Sequence, residues 1–142
     1  MLKKTVTYED LNGVQKTDDF YFHFNEPELM EMELDIDGGL SDMVNRISAT
    51  KNKKVILATF KDLVSKAYGI KHLDGGRFEK SEEISKAFRE HPAYPIIFME
   101  LATNDVAASE FVNGVLPEKI KKIVAERKAA EEAAISGPVT FN

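Results

Sequence analysis

Between Val55 and Pro117 the chain carries one apolar stripe after another at helical spacing. Ile56, Leu57, Phe60, Leu63, Val64 and Ala67 fall on one side of a helix. Ile84, Ala87, Phe88 and His91 repeat the spacing, and so do Tyr94, Ile97, Phe98 and Leu101. Consecutive amphipathic helices cannot hide their stripes singly, so they must pack on one another. This stretch is read as the core, with both ends of the chain dressed around it.

Before the helices, the period changes to two. Val6 and Tyr8 alternate with Thr5, Thr7 and Glu9, and Phe20, Phe22 and Phe24 alternate with Asp19, Tyr21 and His23. Asp10-Leu11-Asn12-Gly13 lies between, so residues 2–24 read as an antiparallel hairpin. A two-residue Asn-Gly loop would put Val6 opposite Asp19 and split the apolar residues between the faces. A Leu11-Asn12-Gly13 loop pairs Asp10 with Val14 and gathers Leu2, Val6, Tyr8, Phe20 and Phe22 on one face. Since a one-residue slip flips every side chain, the buried face selects this longer loop, with a type I turn and a G1 bulge at Gly13.

Helix signals continue in order. Asn25 with Glu28 makes a capping box for a helix from Glu26 to about Leu34, and Pro27 suits its first turn. Asp37-Gly38-Gly39 breaks the chain. Ser41 or Asp42 then starts a second helix with Met43, Val44 and Ile47 inward. Asn52 caps a helix from Lys53 to about Tyr68, with Gly69 placed as its C-cap, and residues 69–80 read as a loop. Ser81 caps the next helix, Ala93 to Ala102 forms another, and a short one runs through Phe111 and Val112 to Asn113-Gly114. Pro117 opens a last helix from Glu118 to about Ala134. Together these predict an α+β chain: a mainly α-helical single domain with an N-terminal antiparallel β-hairpin packed on a helical bundle. Residues 1–116 form the globular part and 117–142 a C-terminal helix and flexible tail.

Composition limits the chemistry. The chain has 142 residues, 43% apolar and 30% charged, which is the balance of an ordinary soluble domain. It has no cysteine, which rules out disulfides and thiolate metal sites and fits a reducing cytoplasm. No apolar run nears the roughly 18 residues of a membrane span, and no apolar signal segment follows the N-terminus. A net charge of −5 argues against a dedicated nucleic-acid binder, and Lys51-Asn52-Lys53-Lys54 reads as a solvated helix start.

No motif supplies a reaction. His23 is expected on the exposed strand face, His72 in a loop, and His91 as a cation at a helix end, where the dipole favours it. None has a neighbour at metal-ligand spacing. The acidic run after Glu31 fails as a calcium loop. Its twelfth position is Val44 counted from Glu33, or Arg46 counted from Asp35, where a glutamate is needed. Gly75-Gly76-Arg77 lacks a phosphate-loop pattern, and no serine sits in a nucleophile elbow. The Phe and Met stripes of the central helices read as core and not as a cofactor box. No catalytic residue, metal or cofactor is expected.

Several phrases, in order, resemble the tail assembly chaperones of long-tailed phages. They are TVTYEDLNG at residues 5–13, DFYFHFNEPELMEME at 19–33, GGLSDMVNRI at 38–47, FKDLVSKAYG at 60–69, GGRFEKSEEISKAF at 75–88 and FMELATNDVAASEFVNGVLP at 98–117. The resemblance implies a non-enzymatic protein of the infected host cytoplasm, absent from the finished virion. It would self-associate and coat the tape measure protein before the tail tube polymerises. It also implies a second, longer frameshifted form as a further partner, this chain being the short form. The alternative class is a small intracellular regulatory or nucleic-acid-binding protein. Ile120, Ile123, Val124 and Arg127, in the helix after Pro117, are the expected partner contacts, because the alanine-rich remainder of that helix has little of its own to bury.

Overall fold

Parity of the apolar residues fixes the N-terminal hairpin, as its buried face requires. A computed structural model describes residues 1–40, 42–43 and 52–116. Strand β1 (Leu2–Glu9) pairs antiparallel with β2 (Gln15–Phe22), with Val6 opposite Asp18 and Tyr8 opposite Lys16. Asp10 N–H donates to the Val14 carbonyl (2.8 Å), Gly13 N–H returns to the Asp10 carbonyl (3.0 Å), and Gly13 has φ 81°. The loop is therefore Leu11-Asn12-Gly13. The Asp10 carboxylate stiffens it by accepting the N–H groups of Asn12 and Val14, both at 2.9 Å. Val6, Tyr8, Phe20 and Phe22 are all buried on the shared face.

The sheet is larger than the hairpin. Helix α1 (Glu26–Asp35) starts at the expected capping box, with Asn25 and Glu28 each accepting the other's backbone N–H. Gly38 and Gly39 turn the chain at positive φ, and Glu33 accepts the Leu40 N–H at 2.7 Å, seating the buried Leu40. Helix α2 (Lys53–Ala67), capped by Asn52, leads without a break into β3 (Tyr68–Lys71). β3 pairs with β2, Tyr21 opposite Gly69 and Phe22 opposite Tyr68, and then with the short β4 (Phe78–Glu79). The antiparallel order is β1-β2-β3-β4.

Gly69 is thus a strand residue and not a helix cap. Its backbone passes so close to β4 that a Cβ there would lie 2.5 Å from the Phe78 ring and 2.8 Å from the Glu79 carbonyl oxygen. Residues 69–80, expected to be a loop, hold two strands, because the free edge of β2 supplies the pairing that four residues alone could not specify.

Three helices close the core: α3 (Glu82–Arg89), α4 (Ala93–Thr103) and α5 (Asp105–Val115). Ser81 caps α3 and Asn104 caps α5. Gly114, expected to end α5, lies inside it, where a Cβ would meet Leu2 of β1 at 2.8 Å. The helices α4 and α5 pack on β1, and α3 packs on β3. Of the α2 stripe, Phe60, Leu63, Val64 and Ala67 are buried and Ile56 is half-buried, but Leu57 is 38% exposed. Ala87 of the α3 stripe is exposed as well. The second helix expected from Ser41 or Asp42 is helical already at Gly39 and Leu40, while Val44 and Ile47 lie outside the described residues.

Two outcomes test this fold. Gly69→Ala should lower stability by about 1–3 kcal/mol through overpacking against β4, measured by urea unfolding, and an unchanged midpoint would contradict the close approach. The second concerns Tyr8, whose hydroxyl donates to the Asp18 carboxylate. That bond, then burial and the nearby negative charges, pushes its pKa up to about 12. The folded state holds this proton more tightly than the unfolded chain, so the contribution is complete below about pH 10 and vanishes as pH rises through about 12. The wild type should lose stability across that window more steeply than Tyr8→Phe, and parallel curves would contradict the assignment.

Candidate functional site

The histidines do different jobs in different places. His23, expected on an exposed face, is half-buried, because β4 brings the Phe78 ring edge-on to it at 6.0 Å. Among the described residues its Nδ1 is buried without a hydrogen-bond partner. Burial holds its pKa below the ordinary histidine value, helped by the N-terminal and Lys80 charges and opposed by Glu28. His72 Nε2 lies 3.1 Å from Glu79 Oε1 across the β3–β4 turn. His91 follows α3, but it serves α4. Its Nδ1 accepts the Ala93 N–H at 3.0 Å, filling the cap that Pro92 cannot supply. That bond uses the Nδ1 lone pair, so the ring acts here as an acceptor at the start of α4. Tyr8 and Phe20 meet the ring in T-shaped contacts at 5.0 and 5.4 Å. Among the described residues, no three histidine, aspartate or glutamate side chains gather as a metal site.

Two open grooves run beside α3 and share Lys66, Glu82 and Ser85. Several of their charges pair with one another. Lys80 donates to Glu28 Oε2 at 2.7 Å and lies 4.6 Å above the Phe24 ring, Lys66 pairs with Asp62, and Arg89 with Glu82. Burial lowers the Lys80 pKa, and Glu28 works against that shift. Glu28 thereby does two things: one oxygen closes the α1 capping box and the other anchors α1 beside β4. These grooves are seams between elements.

The unusual surface is on α4. No charged side chain occurs between Glu90 and Glu100, and the helix is apolar on more than its inner side. Ile97 and Leu101 are buried, whereas Ile96 and Met99 are 44% and 54% exposed. Glu100, at the margin, pairs with Lys4 of β1 at 3.0 Å and ties the helix to the sheet. A helix apolar all round is ordinarily enclosed, and among the described residues this one is not. Met30 and Leu34, one turn apart on α1, and Val106 on α5 are exposed too. The reading of the Phe and Met stripes as core therefore divides. Phe60, Phe88 and Phe111 of the central helices are core, while Met99 faces outward.

The expected contact residues Ile120, Ile123, Val124 and Arg127 lie outside the described residues. Ile96 and Met99 were not singled out by spacing, although the uncharged run around them was the available signal. Among the described residues no helix is long and apolar enough to cross a membrane.

Comparison with curated proteins and with solved structures found no match. A family model described as phage tail assembly chaperone matches residues 1–137, from the first strand through the helices that carry the outward-facing apolar residues. A match over nearly the whole chain places it plainly: the protein belongs to the phage tail assembly chaperone family.

Proposed function

We propose that this protein is a non-enzymatic chaperone that self-associates and coats the tape measure protein during tail assembly, acting in the host cytoplasm and leaving before the virion is complete. The observation that carries this reading is the outer face of α4. A family member that masks an apolar helix needs an apolar surface on a rigid element, and Ile96 and Met99 provide one. Masking a long, partly apolar helix prevents its aggregation, and many weak copies along one chain bind more tightly than any single copy.

Ile120, Ile123, Val124 and Arg127 are proposed as a second contact, on residues 117–142 beyond a globular part that ends at 116. Val115 and Leu116 are both buried, which supports placing that boundary directly after them.

Co-expression with the tape measure protein tests the reading. Ile96→Lys/Met99→Lys changes only exposed positions, so its far-UV spectrum and melting should match the wild type, while the tape measure protein should move to the insoluble fraction. A chain ending at Leu116 should remain folded but hold back less of it. If both variants keep the tape measure protein as soluble as the wild type does, the proposed surfaces are wrong.

A further inference from the structure

The strand β1 stands at one edge of the sheet. The phase of its hydrogen bonds follows from the turn. Asp10 and Val14 form a hydrogen-bonded pair, and their register continues without a bulge to Leu2 opposite Phe22. Such pairs recur at every second residue. Leu2, Lys4, Val6 and Tyr8 therefore spend their backbone groups on β2. The N–H and C=O groups of Lys3, Thr5, Thr7 and Glu9 point the other way. Among the described residues nothing pairs with them. All four side chains are exposed. An eight-residue edge with no proline and no bulge is longer and more regular than soluble proteins usually leave open.

We propose that this edge pairs antiparallel with β1 of a second copy, giving a two-fold dimer with a continuous sheet. The inference rests on the reading that the protein self-associates. The partner is selected by charge. In an antiparallel pairing centred on Val6, Lys3 of each copy lies opposite Glu9 of the other, and Thr5 lies opposite Thr7. All these side chains are on the solvent face, and all are in hydrogen-bonded pairs. Centring the pairing on Thr5 puts Lys3 opposite Thr7, and centring it on Thr7 puts Glu9 opposite Thr5, so neither neighbouring register matches the charges. Opposite charges directly across a strand pair are favourable and like charges are not. On the inner face, Val6 meets its own symmetry mate beside an already buried core. The surface is self-complementary, as a two-fold interface requires. Such a contact closes at two copies, so longer assemblies along a tape measure need a second contact.

Sedimentation velocity over a concentration series, with the full chain, tests the proposal. The wild type should show a concentration-dependent dimer. Thr5→Pro removes an outward N–H and blocks the approach without touching the β1–β2 ladder, so it should be folded and monomeric. Thr5→Ala loses the same side-chain bond to Asp19 but keeps the N–H, and should dimerise like the wild type. Lys3→Glu and Glu9→Lys should each weaken the dimer, by about threefold to tenfold, and the double variant should restore it. Circular dichroism confirms folding in each case. A wild type that stays monomeric at every concentration overturns both this pairing and self-association. A wild type that oligomerises equally well with Thr5→Pro, or a charge swap without rescue, overturns the pairing and leaves self-association standing. A monomeric chaperone whose Thr5→Pro variant fails only to bind the tape measure protein would assign the edge to that partner and overturn the homodimer.

Discussion

Phe22 is the point from which the structure is best understood. It is fully buried on β2, and its ring meets Tyr68 at 5.9 Å, Phe88 at 5.8 Å and Phe111 at 5.3 Å. One side chain thus touches β3, α3 and α5. Tyr68 and Phe88 stack face to face at 4.0 Å beside it, and Phe20 extends the cluster to Tyr8 and His91. Aromatic pairs of this kind contribute about 0.5–1.5 kcal/mol each beyond their buried area. The geometry matters more than the sum. Once β2 presents Phe20 and Phe22 on one face, β1 has one register that buries Val6 and Tyr8, and the helices have one layer to cover.

The hairpin was legible because parity is a local property. Which loop joins the strands follows from which residues must share a face, and the sequence contains both facts. The caps were legible for the same reason, since Asn25, Asn52 and Ser81 satisfy N–H groups within their own first turns. The second half of the sheet was not legible. Tyr68–Lys71 is short, and its pairing partners lie on a strand far earlier in the chain. Gly69 and Gly114 misled in one way: glycine reads locally as a stop, while here each marks a close approach by a distant residue. His23 was misplaced because Phe78 reaches it only in the folded chain.

The candidate surface was hidden by a different limit. An apolar residue at helical spacing says that something covers it, but not whether its own chain does. On α4 the stripe of Tyr94, Ile97, Phe98 and Leu101 is met by the sheet and by α2, and the same helix leaves Ile96 and Met99 facing away. The lack of charge from His91 to Met99 marks the helix as apolar all round. Only the packing shows which side the described residues leave uncovered. The proposed function would give that side a purpose, because a chaperone's binding surface must stay open until its client arrives.

Site-specific photo-crosslinking addresses this purpose most directly. A photoreactive phenylalanine analogue at Met99, with a parallel one at the fully exposed Leu73 of the β3–β4 turn, would be irradiated in cells making the chaperone and the tape measure protein together. A crosslink to the tape measure protein is expected from position 99 and none from position 73. A crosslink from position 73 alone, or none from position 99 while the two proteins still co-purify, would contradict it.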